Sequence, residues 1–199
     1  LIALGLAYLW QRRRGVGSTV PPADRPSIDE RLASAFAQLH SAGPDGVPDV
    51  EVRLLGLRDL REIALESPRD AWPIAQALAQ YVRRVAPRHA QADTAPAAPR
   101  ADVQAALTLL ARRPGRIGLG EDAPLDLSGT DLRGADLAGA NLVAVRFDGA
   151  DLRGAHLDHT DLAGAGLRGV DLRDARGLTL EQLAAAVTDA ATRLPDPLR

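Results

Sequence analysis

The chain has 199 residues with 24 basic and 26 acidic side chains, and a net charge of −2 gives no electrostatic reason to expect nucleic acid. There is no Cys, so disulfides and thiolate chemistry are excluded. All 24 basic residues are Arg, which removes a Schiff-base or P-loop lysine.

In chain order, Leu1–Trp10 is an unbroken apolar run of ten residues. That is about 15 Å of helix, half of what spans a bilayer. Trp10 and then Arg12, Arg13 and Arg14 match an interfacial aromatic and a positive-inside flank. Residues 1–14 therefore read as the end of a transmembrane helix with the rest of the chain cytoplasmic; an apolar helix packed on the protein is the competing reading. Residues 15–26 are rich in Gly, Pro and Ser and read as a linker.

From Ser27 the period is helical, and residues 27–113 read as a helical domain with a Pro/Ala-rich break near 87–99. Ile28, Leu32, Ala35, Phe36 and Leu39 share one face, behind a Ser27/Glu30 capping box. Asp49 can cap a second helix bearing Val52, Leu57, Leu60, Ile63 and Ala64. Ser67-Pro68 opens a third, with Ala71, Ile74, Ala75, Leu78, Val82 and Val85 inward. A fourth carries Val103, Ala106, Leu107 and Leu110. The helices, with wording such as EVRLLGLRDLREIALESP, resemble the HEAT-like segment that precedes repeats in membrane-linked bacterial proteins. Residues 114–124 read as a connecting loop. Gly115, Gly118 and Gly120 there lack the strand, helix and Lys of a phosphate loop.

Residues 125–174 then read five at a time as ten units: LDLSG, TDLRG, ADLAG, ANLVA, VRFDG, ADLRG, AHLDH, TDLAG, AGLRG and VDLRD. Leu or Phe holds every centre, a small or β-branched residue stands two before it in nine of ten units, and Gly ends seven. A period of five fits neither a helix nor a flat strand. It fits a chain that turns a corner every five residues, with the centre and the residue two before it facing inward. Gly at the corner supplies φ > 0. Four corners close a coil of about twenty residues, and coils stacked ~4.8 Å apart make a column ~12 Å tall.

These A(D/N)LxG units resemble the pentapeptide-repeat family. The resemblance implies a right-handed quadrilateral parallel β-helix, placed over 125–177, which with the helices before it makes an α+β chain; no cofactor is expected. Residues 178–199, with Thr179 and Gln182 as a capping box, read as a C-terminal helix and tail. The apolar residues Leu180, Leu183, Ala184, Val187 and Leu194 are expected to cover the open end.

Stacking every fourth unit sets Asp131, Asp151 and Asp171 in one outward column and Arg133, Arg153 and Arg173 in the next. They form a candidate docking face for a protein partner, or a solvated surface that neutralises itself. Val143 and Ala163 form an apolar stripe against which the fourth helix could pack, along the column or over its N-terminal end. His156, Asp158 and His159 sit in one unit without the cavity a metal site needs, and read as exposed polar residues. No nucleophile, base and orienting group can be drawn together. The expected role is a non-enzymatic interaction or scaffold module at a bacterial membrane, its protein partner unnamed. The alternative is a DNA mimic that binds a DNA topoisomerase, as a subset of the family resembles; nine Asp against five Arg over 125–174 give that reading some acidity.

Overall fold

The computed structural model describes residues 26–43, 45–88, 98–112 and 123–198. The apolar run Leu1–Trp10 with its arginines, linker residues 15–25 and the glycines at 115, 118 and 120 lie outside the described residues. Among the described residues no helix is long and apolar enough to cross a membrane.

Among the described residues four helices precede the repeats: α1 (Ile28–Gln38), α2 (Val50–Glu66), α3 (Pro68–Val85) and α4 (Ala101–Ala111). The α1 capping box forms both ways, with Ser27 Oγ accepting from the Glu30 amide at 3.2 Å and the Glu30 carboxylate accepting from the Ser27 amide at 2.8 Å. Asp49 caps α2 through the Val52 amide at 3.1 Å. The inward faces follow the helical spacing. Leu32, Ala35 and Leu39 of α1, Leu57, Leu60 and Ile63 of α2, and Ile74, Ala75, Leu78 and Val82 of α3 are buried, as are all four apolar positions named on α4. Ile28, Phe36, Val52, Ala64, Ala71 and Val85 stay half-buried at the margins.

The chain forms two compact units, residues 1–77 and 78–199. The boundary therefore falls inside α3 and not in the 114–124 loop. Backbone and side-chain groups from 83 to 111 hydrogen-bond to the first coil of the repeats, and these bonds bring that segment into the repeat unit. In the first unit α1 and α2 pack at Gly56, where a Cβ would lie 2.7 Å from the Ala35 carbonyl oxygen. Only glycine allows that approach.

In the second unit, parallel bridges join residues twenty apart: Asp126 to Arg146 to Gly166, Asp131 to Asp151 to Asp171, Asp136 to His156 to Arg176, and Asn141 to Asp161. Four five-residue units thus make one turn of a stacked coil. Bonds between turns are short, as from the Leu132 amide to the Asp151 carbonyl and from the Leu152 amide to the Asp171 carbonyl, both 2.8 Å. The ten central residues and the ten residues two before them are each no more than 3% exposed. Leu125, the one large residue at the second kind of position, is buried like the rest. Thr130 and Thr160 remain compatible with this interior because their hydroxyls donate to the Leu127 and Leu137 carbonyls, at 2.6 and 2.8 Å.

Every corner has positive φ. Seven are glycine, and the other three are Ala144 (55°), His159 (56°) and Asp174 (60°). At Gly129, Gly139, Gly149, Gly164 and Gly169 an added Cβ would meet nothing within 4 Å, so backbone conformation and not space selects glycine there.

After the repeats comes α5 (Leu180–Ala185), with the Thr179/Gln182 capping box formed. It buries none of its residues, and Leu180 and Val187 are 67% and 38% exposed. The expected apolar cover is only partial: Leu183 and Leu194 are half-buried while Leu180, Ala184 and Val187 stay exposed, and hydrogen bonds pair the edge at this end. Val187 bridges Gly166 and Arg193 bridges Asp171, so the tail continues the coil without its five-residue signature. Gln182 Nε2 donates to the Leu157 and Thr160 carbonyls at 3.0 and 2.8 Å.

Candidate functional site

The second and fourth residues of a unit point outward, and bridging places like positions above one another. The result on one side is a ladder of Asp131, Asp151 and Asp171, joined by successive parallel bridges. Each carboxylate is clasped by the arginine two residues on. Arg133 Nε and Nη2 donate to the two oxygens of Asp131 at 2.8 and 2.7 Å. The same pair of bonds measures 3.0 and 2.8 Å from Arg153 to Asp151, and 3.0 and 2.8 Å from Arg173 to Asp171. The backbone amide of each arginine adds a third, longer donor at 3.2–3.3 Å. A two-pronged clasp of this kind fixes geometry as well as charge.

The ladder is only partly solvated: the Asp131 side chain is 24% exposed. Asp151 and Asp171 side chains are 5% and 2% exposed, and their arginines 15% and 38%. Burial alone pushes the Asp131 and Asp171 carboxyls up. The side-chain and backbone donors of their arginines, with guanidinium charge from their own and the neighbouring rung, outweigh it and hold both below the usual carboxylate value. Arg133 and Arg153 are raised, first by hydrogen bonds to their own aspartates. Arg193, 3.5 Å from Asp171, adds a rung at the C-terminal end. The candidate docking face thus comes together as one surface whose charges are already spent on one another.

The Val143/Ala163 stripe is exposed, Val143 at 39%. Helix α4 does not run along it. It meets the N-terminal edge of the first coil instead: the Gln104 carboxamide donates to the Asp136 carbonyl at 2.8 Å and accepts from the Asp136 amide at 3.0 Å, and the Ala111 carbonyl accepts from the Asn141 amide at 3.0 Å. Asp158 and His159 are exposed and His156 is half-buried. Among the described residues no group of three or more His, Cys, Asp or Glu could hold a metal ion.

A cleft of about 230 Å³ opens beside the Asp131–Arg133 rung, walled by Val85, Pro87, Pro99 and Val103. Its described lining contains no His, Ser, Thr or Tyr, so no nucleophile and base meet there. The residues that reading the sequence missed are the edge-closing ones: Ala86, Arg88, Gln104 and Gln182. Ala86 acts through its backbone carbonyl, and Arg88 through its amide and its guanidinium, which donates to the Gly149 carbonyl at 2.8 Å. Gln104 and Gln182 are ordinary polar residues on helices.

Pentapeptide repeats match residues 125–154 and 140–176, eight copies in all, and together these spans cover every one of the ten units. No curated protein matches the chain.

Proposed function

We propose that this protein is a non-enzymatic interaction module, and that its stacked coil is the right-handed quadrilateral parallel β-helix that the repeats imply. One observation carries the reading. Twenty inward side chains are buried inside the column, so the outward positions are the ones a partner can reach, and they recur at fixed spacing. A solenoid of this kind acts through its surface. The sequence supports a site of action at the cytoplasmic face of a bacterial membrane, with Leu1–Trp10 and Arg12–Arg14 as the anchor and the helical segment as a HEAT-like spacer. The partner is a protein that reads the rungs Asp131–Arg133, Asp151–Arg153 and Asp171–Arg173. The DNA-mimic reading loses ground here, because a mimic needs a run of acidic charge and each of these aspartates is clasped by an arginine.

Arg173 is the most exposed arginine of the three rungs, so Arg173→Glu tests the face with the least disturbance of the core. Full-length protein cross-linked in a bacterial membrane extract should retain a partner that Arg173→Glu loses and Ser128→Ala keeps. Equal recovery with both variants removes the docking face. Inhibition of a purified topoisomerase by the wild-type chain would favour the alternative. Recovery of the full-length protein in the salt-released fraction would remove the membrane anchor, since apolar anchoring is not screened by salt.

A further inference from the structure

Asp precedes Gly at two places in this chain, Asp45–Gly46 and Asp148–Gly149. Such a pair can rearrange without an enzyme, because a glycine amide has no Cβ beside it to shield it from the neighbouring carboxyl. The local chemistry of the two pairs is the same, and their surroundings separate them. At Asp148–Gly149 both reacting groups are engaged. The Gly149 amide donates to the Arg168 carbonyl at 2.8 Å, in the next turn of the coil, and the Asp148 carboxylate accepts from the Arg168 amide at 3.2 Å. Attack there requires the coil to open.

Asp45–Gly46 lies in the turn that joins α1 to α2, and Asp45, Gly46 and Val47 are all exposed. Asp45 Oδ1 accepts from the Val47 amide at 3.1 Å, which folds the carboxyl back toward the peptide that holds the Gly46 nitrogen. The bond of that nitrogen to the Gly43 carbonyl, at 2.9 Å, is internal to the exposed turn. A Cβ added to Gly46 would meet no atom within 4 Å, so a ring has room to form. Asp126 and Asp136 accept from the amide two residues on in the same way. There the next residue is Leu, with its amide in the ladder: Leu127 donates to the Arg146 carbonyl at 2.7 Å and Leu137 to the His156 carbonyl at 3.0 Å.

We propose that Asp45 is a site of spontaneous isomerisation, at which the main chain between α1 and α2 is rerouted through the side chain. The Gly46 nitrogen bonds to the Asp45 Cγ, and a carboxylate oxygen leaves as water with the amide hydrogen and a proton from solvent. Water then adds to the main-chain carbonyl of Asp45 in the cyclic imide and breaks its bond to the Gly46 nitrogen. The product is an isoaspartate with a free α-carboxylate, an extra methylene in the main chain and an unchanged mass. That methylene falls inside the loop closed by the Gly43 amide on the Val47 carbonyl at 2.8 Å, just before Asp49, which caps α2.

The test needs no variant. The full chain is warmed at neutral pH in heavy-oxygen water, and peptide maps score isoaspartate and heavy oxygen at both aspartates. In the folded chain Asp45 should convert about tenfold faster than Asp148, since a turn opens far more often than the coil. In urea the two should convert at similar rates. Equal rates in the folded chain, faster conversion at Asp148, or heavy oxygen at neither residue overturns the assignment. A rate ratio in urea equal to that of the folded chain overturns the structural reason for it. Hydrogen exchange of the converted chain should show protection lost at the Gly43 amide, and retained protection there overturns the effect on the turn.

Discussion

Replacing Arg153 with Met removes the guanidinium from the middle rung while keeping an unbranched chain of similar length. Asp151, whose side chain is 5% exposed, would lose two bonds of 3.0 and 2.8 Å and keep the longer amide contact at 3.2 Å. Breaking one partner of a buried pair costs about 3–5 kcal/mol because a charge is left uncompensated. Two features of the ladder reduce that figure. The Asp151 carboxylate keeps its backbone donor, and the charge on Arg133 also acts on Asp151. The expected loss is then about 2–3 kcal/mol, against ~0–1 kcal/mol for a solvated pair. In a protein of this size that lowers the melting temperature by roughly 5–10 °C. Thermal melting followed by far-UV CD reads it, and Asp151→Asn with Arg153→Met should recover part of the loss by removing the buried charge. If Arg153→Met melts within a degree or two of the parent, the ladder is an ordinary exposed surface and the burial argument fails.

Leu152→Asp buries a carboxylate at a position 1% exposed, costing several kcal/mol, so CD should show the second unit unfolded; a parent-like melt would mean that the register is wrong. The carboxyls of Asp126, Asp131 and Asp171 are all held below the ordinary 3.8 in the folded chain. Their stabilisation is therefore fully present above about pH 4 and lost as pH falls further through the folded values, when protons bind the unfolded chain first. Melting temperature should be level from pH 7 to 5 and fall below pH 4, and an earlier fall would point to other groups. Ala144→Gly relieves an alanine held at φ 55° and should raise stability by up to ~1 kcal/mol. Gly149→Ala, at φ 70° with open space around the new Cβ, should lower it by about 1–2 kcal/mol; urea midpoints that move the other way would exclude backbone strain as the reason for glycine at the corners.

Much of the column is written in the residues themselves. A central Leu or Phe every five residues, with a small residue two before it, can be buried together only if the chain turns at each fifth position. The structure buries all twenty. Even the three corners without glycine obey the period: Ala144, His159 and Asp174 take positive φ like the glycines. The helical faces of α1 to α4 were equally legible, since a 3.6-residue apolar spacing leaves one inward side. Tertiary structure alone decided how deep the ladder lies and how the column ends. Spacing puts Asp151 and Asp171 outward, yet the arginine laid across each carboxylate shields it, and that depth depends on the rungs above and below. The ends are closed by the Ala86 and Ala111 carbonyls and by the carboxamides of Gln104 and Gln182. A backbone carbonyl is the same in every residue, and a glutamine on a helix has no pattern that marks it. Which of them meets an unpaired strand edge is settled only when the chain has folded back on itself.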